Sequence, residues 1–210
     1  VSASENPPVD VVLSADAVMK IKNDKDWVVV DARATDAFNG WPLQGLSRGG
    51  HIPGAVDFPA SWLSGDRKGK AASLAAALRT KGIERNKHVV LYGSSERECR
   101  RVADYLRQAG FRKLYRVDFQ GWVADRDRPL ERYKNFHLLV PASIVKRLLE
   151  GELPETFEAA KRVKFVEVSW GDAGASYSKG HVPRSFHVNT DHFEPPPLWK
   201  LGSPAVLNRF

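Results

Sequence analysis

The residues best placed to do chemistry lie in "VVLYGSSEREC", where the apolar run Val89 to Tyr92 meets Gly93, Ser94, Ser95, Glu96, Arg97, Glu98 and Cys99. Val102, Ala103, Tyr105, Leu106 and Ala109 then recur at helical spacing up to Gly110. This order predicts strand, tight loop and helix N-terminus. Such a junction aims free backbone N–H groups and the positive end of a helix dipole at the loop, which suits an anion or a thiolate. The loop opens on glycine and serine, so the seat is present without a thiol at its head. Cys99 is the chain's one cysteine, and Arg97, Arg100 and Arg101 stand near it in sequence. Neighbouring cations lower a thiol pKa. Cys99 nevertheless lies more than a helical turn past the loop head, so it is expected to point away from the loop amides as a partly buried helix thiol.

A second set is Asp31 and Arg33 in "VVVDAR" with His51, Pro53 and Gly54 in "GHIPGA". A carboxylate and a guanidinium at a strand's carboxyl end stand where α/β proteins bind ligands. The plainer reading is a buried charge-assisted pair that fastens the next loop. His51 has no second His or carboxylate at ligand spacing, so it reads as a turn histidine bonded to backbone. Pro53 fixes φ, and Gly50 and Gly54 permit positive φ, which makes the motif a sharp turn.

The elements that must position these groups alternate regularly. Ser14 caps a short helix through "ADAVMKI", and "WVVVDAR" is a buried strand. "NGWPLQGLSRGGHIPGA" is loop, and "AASLAAALRTKGI" is a helix ended by Gly82. After the strand and helix at 88–110 come a strand "KLYRV" and a short amphipathic turn "FQGWVAD". The pattern predicts an α/β fold with a mostly parallel sheet flanked by helices. Periodicity lapses near "DRDRPLERYKNF", and a helix signal resumes at Pro141, which sets domains at 9–133 and 137–210. The later part echoes the earlier one. "KFVEVSW" matches "WVVVDAR", and "SKGHVPRSFHV" matches "RGGHIPGAVDF", about 130 to 136 positions apart, as in a duplicated domain. No second copy of 88–110 follows. Arg184 stands where the first turn has Gly54, and a positive φ there would cost about 1 kcal/mol or more, so the second turn is expected to differ.

Composition narrows the classes. The 42% hydrophobic and 27% charged content is that of a globular protein. No apolar run reaches the roughly 18 residues of a membrane helix. The net charge of +7 is spread over stretches of alternating sign without a nucleic-acid motif, so solvated faces or attraction of a small anion fit better than nucleic acid. One cysteine excludes a disulfide framework and a Cys-rich metal site, and no residue set asks for a cofactor or metal. "SASENPPVD" is polar and Pro-containing and the chain starts without Met, which fits removal of an upstream signal segment and leads to the expectation of a periplasmic or exported protein, with a cytoplasmic one left open. Trp41, Trp62, Trp122, Trp170 and Trp199 read as packing between elements or domains.

"VVVDARATDAFNG" with "GHIPGAVDF", "VVLYG" and "GFRKLYRVDFQGWVAD" together resemble the rhodanese-like sulfurtransferase family. The second "GHVP" unit resembles the opening part of its multidomain, exported members. The resemblance implies a rhodanese-like domain followed by an incomplete second one. In active members a cysteine heads a loop close to CxxGxR and carries a persulfide. Here Gly93 stands in its place, with Glu96 and Glu98 at the glycine and arginine positions. Neither glycine nor serine can hold a persulfide. The two glutamates suit a helix N-terminus and are expected to repel an arriving anion.

Two functions follow. In one, the chain is the non-catalytic N-terminal portion of a sulfurtransferase of thiosulfate or persulfide type, whose chemistry sits in a later domain. Its partners are then the remaining C-terminal domains or a cleaved fragment. In the other, it is an inactive rhodanese module that binds a protein or a small anion. A related Cys-loop-Arg phosphatase fails on the same missing cysteine.

Overall fold

The computed structural model describes residues 11–157 and 162–208. The stretch "SASENPPVD", with it the start of the first expected domain, and the last two residues of the second lie outside the described residues. The chain divides into two compact units, residues 1–140 and 141–210.

The first unit is built on five parallel strands: β1 (Val12–Leu13), β2 (Trp27–Asp31), β3 (Val56–Asp57), β4 (His88–Tyr92) and β5 (Leu114–Val117), in the spatial order β1-β5-β4-β2-β3. Five helices alternate with them: α1 (Ala15–Ile21), α2 (Thr35–Asn39), α3 (Arg67–Thr80), α4 (Glu96–Gln108) and α5 (Phe119–Ala124). The expected α/β architecture with a parallel, helix-flanked sheet is therefore the observed one. Central strands of such a sheet are buried on both faces and read as unbroken apolar runs. Val28, Val30, Val89 and Leu91 face Leu74 and Leu78 of α3 and Val102, Ala103 and Leu106 of α4. Val29, Val90 and Tyr92 face Val18 of α1 and Phe119, Trp122 and Val123 of α5. Each such fully buried side chain contributes about 1.5–3 kcal/mol relative to exposure.

Caps set the boundaries. Ser14 accepts from the Ala17 amide at 3.2 Å, Asp66 from Lys68 at 2.9 Å and Asp118 from Gly121 at 3.1 Å. Asp66 starts α3 earlier than the alanine-rich pattern suggested, because an N-cap aspartate outweighs the weak helix signal of "RKGK". The short helix α2 was not expected as an element of its own, since one turn carries too little periodicity to stand out.

The second unit contains α6 (Ala142–Leu149) and two parallel strands, β6 (Phe165–Ser169) and β7 (Ser185–Asn189). Ile144 and Leu148 of α6 are buried. Arg184 does adopt positive φ, at +63°, close to the +78° of Gly54. This corrects the expectation of a different turn. Its guanidinium donates to the Leu149 carbonyl, a bond that offsets part of the left-handed strain. Trp41 and Trp122 are buried and donate to the Leu139 and Pro129 carbonyls. Trp170 and Trp199 are more exposed and meet each other edge to face at 6.4 Å.

Candidate functional site

The loop at Gly93–Ser95 lies where β4 hands over to α4, at the carboxyl edge of the sheet. Ser95 caps α4, accepting from the Glu98 amide at 3.4 Å. The centre of the loop is taken by Glu98, whose Oε2 accepts from the Ser94 backbone N–H at 2.8 Å and whose Oε1 accepts from Gln44 Nε2 at 3.0 Å. Ser94 Oγ donates to Gln44 Oε1 at 2.5 Å. The chain's own carboxylate thus sits where loop amide and helix dipole would hold an anion.

Space agrees with the hydrogen bonds. A Cβ on Gly93 would meet Glu98 Oε2 at 3.0 Å, Glu98 Cβ at 3.1 Å and Cys99 Sγ at 3.2 Å. A side chain at 93 therefore requires Glu98 or Cys99 to give way by a few tenths of an ångström. Glycine at the loop head and glutamate five positions on form one arrangement: the first leaves room and the second fills it.

Two expectations change here. Cys99 does not point away from the loop; its sulfur comes back beneath Gly93, because a residue in the first turn of α4 projects toward the helix N-terminus. Burial pushes the thiol up from 9.0 to about 12, and the Glu98 and Asp31 carboxylates push the same way, while Arg116 opposes them. The expectation that both glutamates face the cradle also narrows to one. Glu96 pairs with Arg100 at 2.9 Å on the exposed side of the helix, as i,i+4 neighbours do. Arg97 is exposed beside them.

A cavity of about 320 Å³ opens beside the loop, bordered by Ser94, Cys99, Arg116 and Gln120. Gln120 Nε2 donates to the Ser94 carbonyl at 3.3 Å, and Arg116 Nε is buried without a hydrogen-bond partner. Gln44, Arg116 and Gln120 were not among the sequence-selected residues. A topological signal existed for two of them, since β4 and β5 are parallel neighbours and residues at their carboxyl ends share one edge. Nothing in the glycine- and proline-rich loop singled out Gln44.

The second sequence-selected set forms a separate structural clamp. Arg33 Nη2 donates to Asp31 Oδ2 and to the Gly50 carbonyl, both at 2.6 Å, and Nε donates to Asp31 Oδ1 at 2.9 Å. The guanidinium lies 4.1 Å from the Phe119 ring centroid. Asp31 and Arg33 are buried at 0% and 1% exposure. Desolvation raises the Asp31 carboxyl, and its bonds to Arg33 oppose that rise. His51 stacks on Phe38 at 3.8 Å, with Nδ1 2.8 Å from the Phe38 carbonyl. Pro53 is buried, and Gly54 donates its amide to Glu131 at 3.2 Å. Gly50 is needed for the approach of another backbone, since its φ is +103° and a Cβ there would stand 2.4 Å from the Glu131 carbonyl oxygen. Every polar group of this set is directed at another part of the fold. Among the described residues no group of three or more His, Cys, Asp or Glu could hold a metal ion, and no helix is long and apolar enough to cross a membrane.

Comparison with known proteins adds three findings. A variant of EanB in complex with hercynine is 27% identical with a TM-score of 0.78, over 97% of this chain and 46% of that one. Wild-type EanB gives 28% and 0.77, over 94% and 44%. The anaerobic ergothioneine biosynthesis enzyme from Chlorobium limicola, in complex with trimethyl histidine, gives 28% and 0.77, over 94% and 45%. The chain thus spans less than half the length of these structures. No curated protein matches the sequence. The family model for the rhodanese-like domain matches residues 14–125, and with its strands, loop and turn motifs in their places the chain belongs to the rhodanese-like family.

Proposed function

We propose that this chain is the N-terminal, non-catalytic portion of a rhodanese-like sulfurtransferase, with thiosulfate or persulfide sulfur transfer carried by a later domain of the parent protein. The observation that carries the proposal is the Glu98 carboxylate bonded to the Ser94 amide inside a loop that has glycine at its head. Sulfur transfer needs a thiolate that attacks the donor and then holds the sulfur as a persulfide. The one thiol available is held protonated, and a fixed carboxylate meets any anionic donor with like charge. The loop then serves to close the domain.

One of the similar structures is an EanB variant with ergothioneine covalently linked with a persulfide cysteine. Likeness to that enzyme over less than half its length makes a trimethyl-histidine-type acceptor the first small molecule to try with the parent protein. The alternative, an inactive module that binds a small anion, is disfavoured at this loop by the same carboxylate. A protein-binding scaffold remains compatible with it.

The test is a thiosulfate-to-cyanide sulfur transfer assay on residues 1–210 and on its Cys99→Ser variant. Both are expected to give the uncatalysed rate. Turnover abolished by Cys99→Ser would make Cys99 the nucleophile and overturn the proposal.

A further inference from the structure

The amino edge of the first sheet, opposite the Gly93–Ser95 loop, gathers most of the chain's surplus charge. Residues 79–87 and 107–113 lead out of α3 and α4 and into β4 and β5. They hold seven lysines and arginines and one acid, Glu84, against a net charge of +7 for the whole chain. Lys81 pairs with Asp57 and Arg107 with Asp104. Arg79, Arg85, Lys87, Arg112 and Lys113 have no acid within ion-pair distance among the described residues.

These cations surround a recess. A cavity of about 480 Å³ opens here, with the buried Leu78, Ile83 and Phe111 as its floor and the exposed Ala75, Arg79 and Arg85 at its rim; Glu84 also borders it. Local contacts hold the remaining cations close. Lys113 Nζ donates to the carbonyl of Asn86, another lining residue, at 3.1 Å, and a Cβ on Gly110 would stand 3.5 Å from Arg85 Nε. Arg112 Nη1 donates to the Arg107 and Phe111 carbonyls, both at 3.3 Å. Cations at a helix C-terminus offset the dipole, which accounts for Arg79 and Arg112. Arg85, Lys87 and Lys113 lie on the connections, where bonds to neutral carbonyls or to water leave their charge uncancelled.

We infer that this recess docks an acidic peptide segment of a partner protein, which sets one apolar side chain against Leu78, Ile83 and Phe111 and its carboxylates against Arg79, Arg85 and Lys113. Charge complementarity selects the occupant. Carboxylates meet guanidinium groups in paired, charge-assisted hydrogen bonds, and a recessed apolar floor takes an anchor side chain. A membrane surface is disfavoured, because no large apolar side chain of residues 13–132 is exposed to insert into it. Single-stranded nucleic acid finds no exposed aromatic ring at this edge on which to stack, since Phe111 is buried. A second copy of the chain brings the same surplus of positive charge and is repelled.

Neither Glu98 nor Cys99 takes part, so this site stands or falls apart from the proposed function. The test is fluorescence anisotropy on residues 1–210 with a labelled octapeptide that has a central Phe-Leu pair between two acidic triplets. A control peptide carries Ser-Ser in place of Phe-Leu and is expected to bind ~10-fold more weakly to the unaltered protein, through loss of the buried apolar group. Arg85→Glu/Lys113→Glu is expected to weaken binding of the first peptide ~30-fold or more in about 50 mM salt. Lys68→Glu/Arg97→Glu makes the same change of charge at the opposite ends of α3 and α4 and is expected to weaken it ~3-fold or less. All four substituted side chains are exposed, so the fold is kept. Equal weakening by the two double variants, equal binding of the two peptides, tighter binding of an oligothymidylate of equal charge, or no binding at up to ~1 mM peptide would each overturn the inference.

Discussion

Asp31 pairs with Asp57 and Glu167 with His187, each partner being the eighth residue of its "GHIPGAVD" or "GHVPRSFH" stretch, so by register the two acids occupy the same position in two related strand pairs, and they meet opposite fates. Asp31 is gripped by Arg33, which also holds the Gly50 carbonyl and so ties strand to turn. Glu167 has Ser169 at the Arg33 position, and one of its oxygens has no hydrogen-bond partner. The acidic residue and the turn recur, but the cation that completes the clamp does not. A motif is thus only as stabilising as the partners it reaches: Arg33 ties Asp31 to the turn, whereas Glu167 has only His187 Nε2 at 3.9 Å, and Ser169 bonds to Ser176 and His187 instead.

The comparison is most easily broken at the clamp. Arg33→Ala leaves the buried Asp31 without its cation and is expected to destabilise the first unit by about 3–5 kcal/mol, read as a denaturant midpoint. Ser169→Ala in the second unit is expected to stay within about 1 kcal/mol, the worth of one ordinary hydrogen bond. Comparable losses at both sites would erase the distinction.

Cys99 offers a kinetic version of the same test, because its loop is filled by Glu98 while β6, among the described residues, pairs with β7 alone. With the thiol held at about 12 against an ordinary 9.0, alkylation at pH 8 is expected to be slower than in the unfolded chain by about a thousandfold. Removing one contributing charge with Glu98→Gln should accelerate it. The linkage has a definite sign. The folded state keeps a proton that the unfolded chain loses, so this contribution to stability is complete below pH 9.0 and falls as pH rises toward about 12. Cys99→Ala should flatten that part of the stability profile.

Packing gives a smaller contrast. Val30→Ala opens a cavity between sheet and helices and is expected to cost about 2 kcal/mol, while Val166→Ala on the exposed face should change stability by less than about 0.5 kcal/mol. Smallest of all is the turn. Gly54→Ala is expected to cost about 1 kcal/mol at its φ of +78°. Arg184→Gly should be nearly neutral, because relief of strain is offset by loss of the bond to Leu149.

Much of the first unit was legible because its signals are local. The apolar runs at 28–31 and 89–92, the cap at Ser14 and the glycines at 82 and 110 each name an element without knowledge of the rest. The parallel sheet follows from their alternation. What the sequence did not disclose is where long side chains turn. Spacing alone placed Glu96 and Glu98 together at the helix start, yet one pairs with Arg100 outward and the other reaches back to the Ser94 amide. The same ignorance of direction sent Cys99 outward on paper, whereas its sulfur lies under Gly93. Gln44 is invisible for a further reason, since its contact spans 54 positions and depends on how an irregular loop folds back. Arg184 shows the limit of a propensity argument, because a distant carbonyl makes an unfavourable φ tolerable.

The central claim is that Glu98 fills the seat that a persulfide and its anionic donor would need. The most direct measurement compares thiosulfate-to-cyanide transfer by Gly93→Cys/Cys99→Ala with the same protein also carrying Glu98→Ala. The added cysteine gains the loop amides and the helix dipole in both, but only the second lacks the opposing carboxylate and its 3.0 Å contact. Glu98→Ala is expected to raise the rate at least ~10-fold, in line with a shift of about one pKa unit or more from a removed like charge. Equal rates in the two proteins would show that the carboxylate does not guard the loop, and the claim would fall.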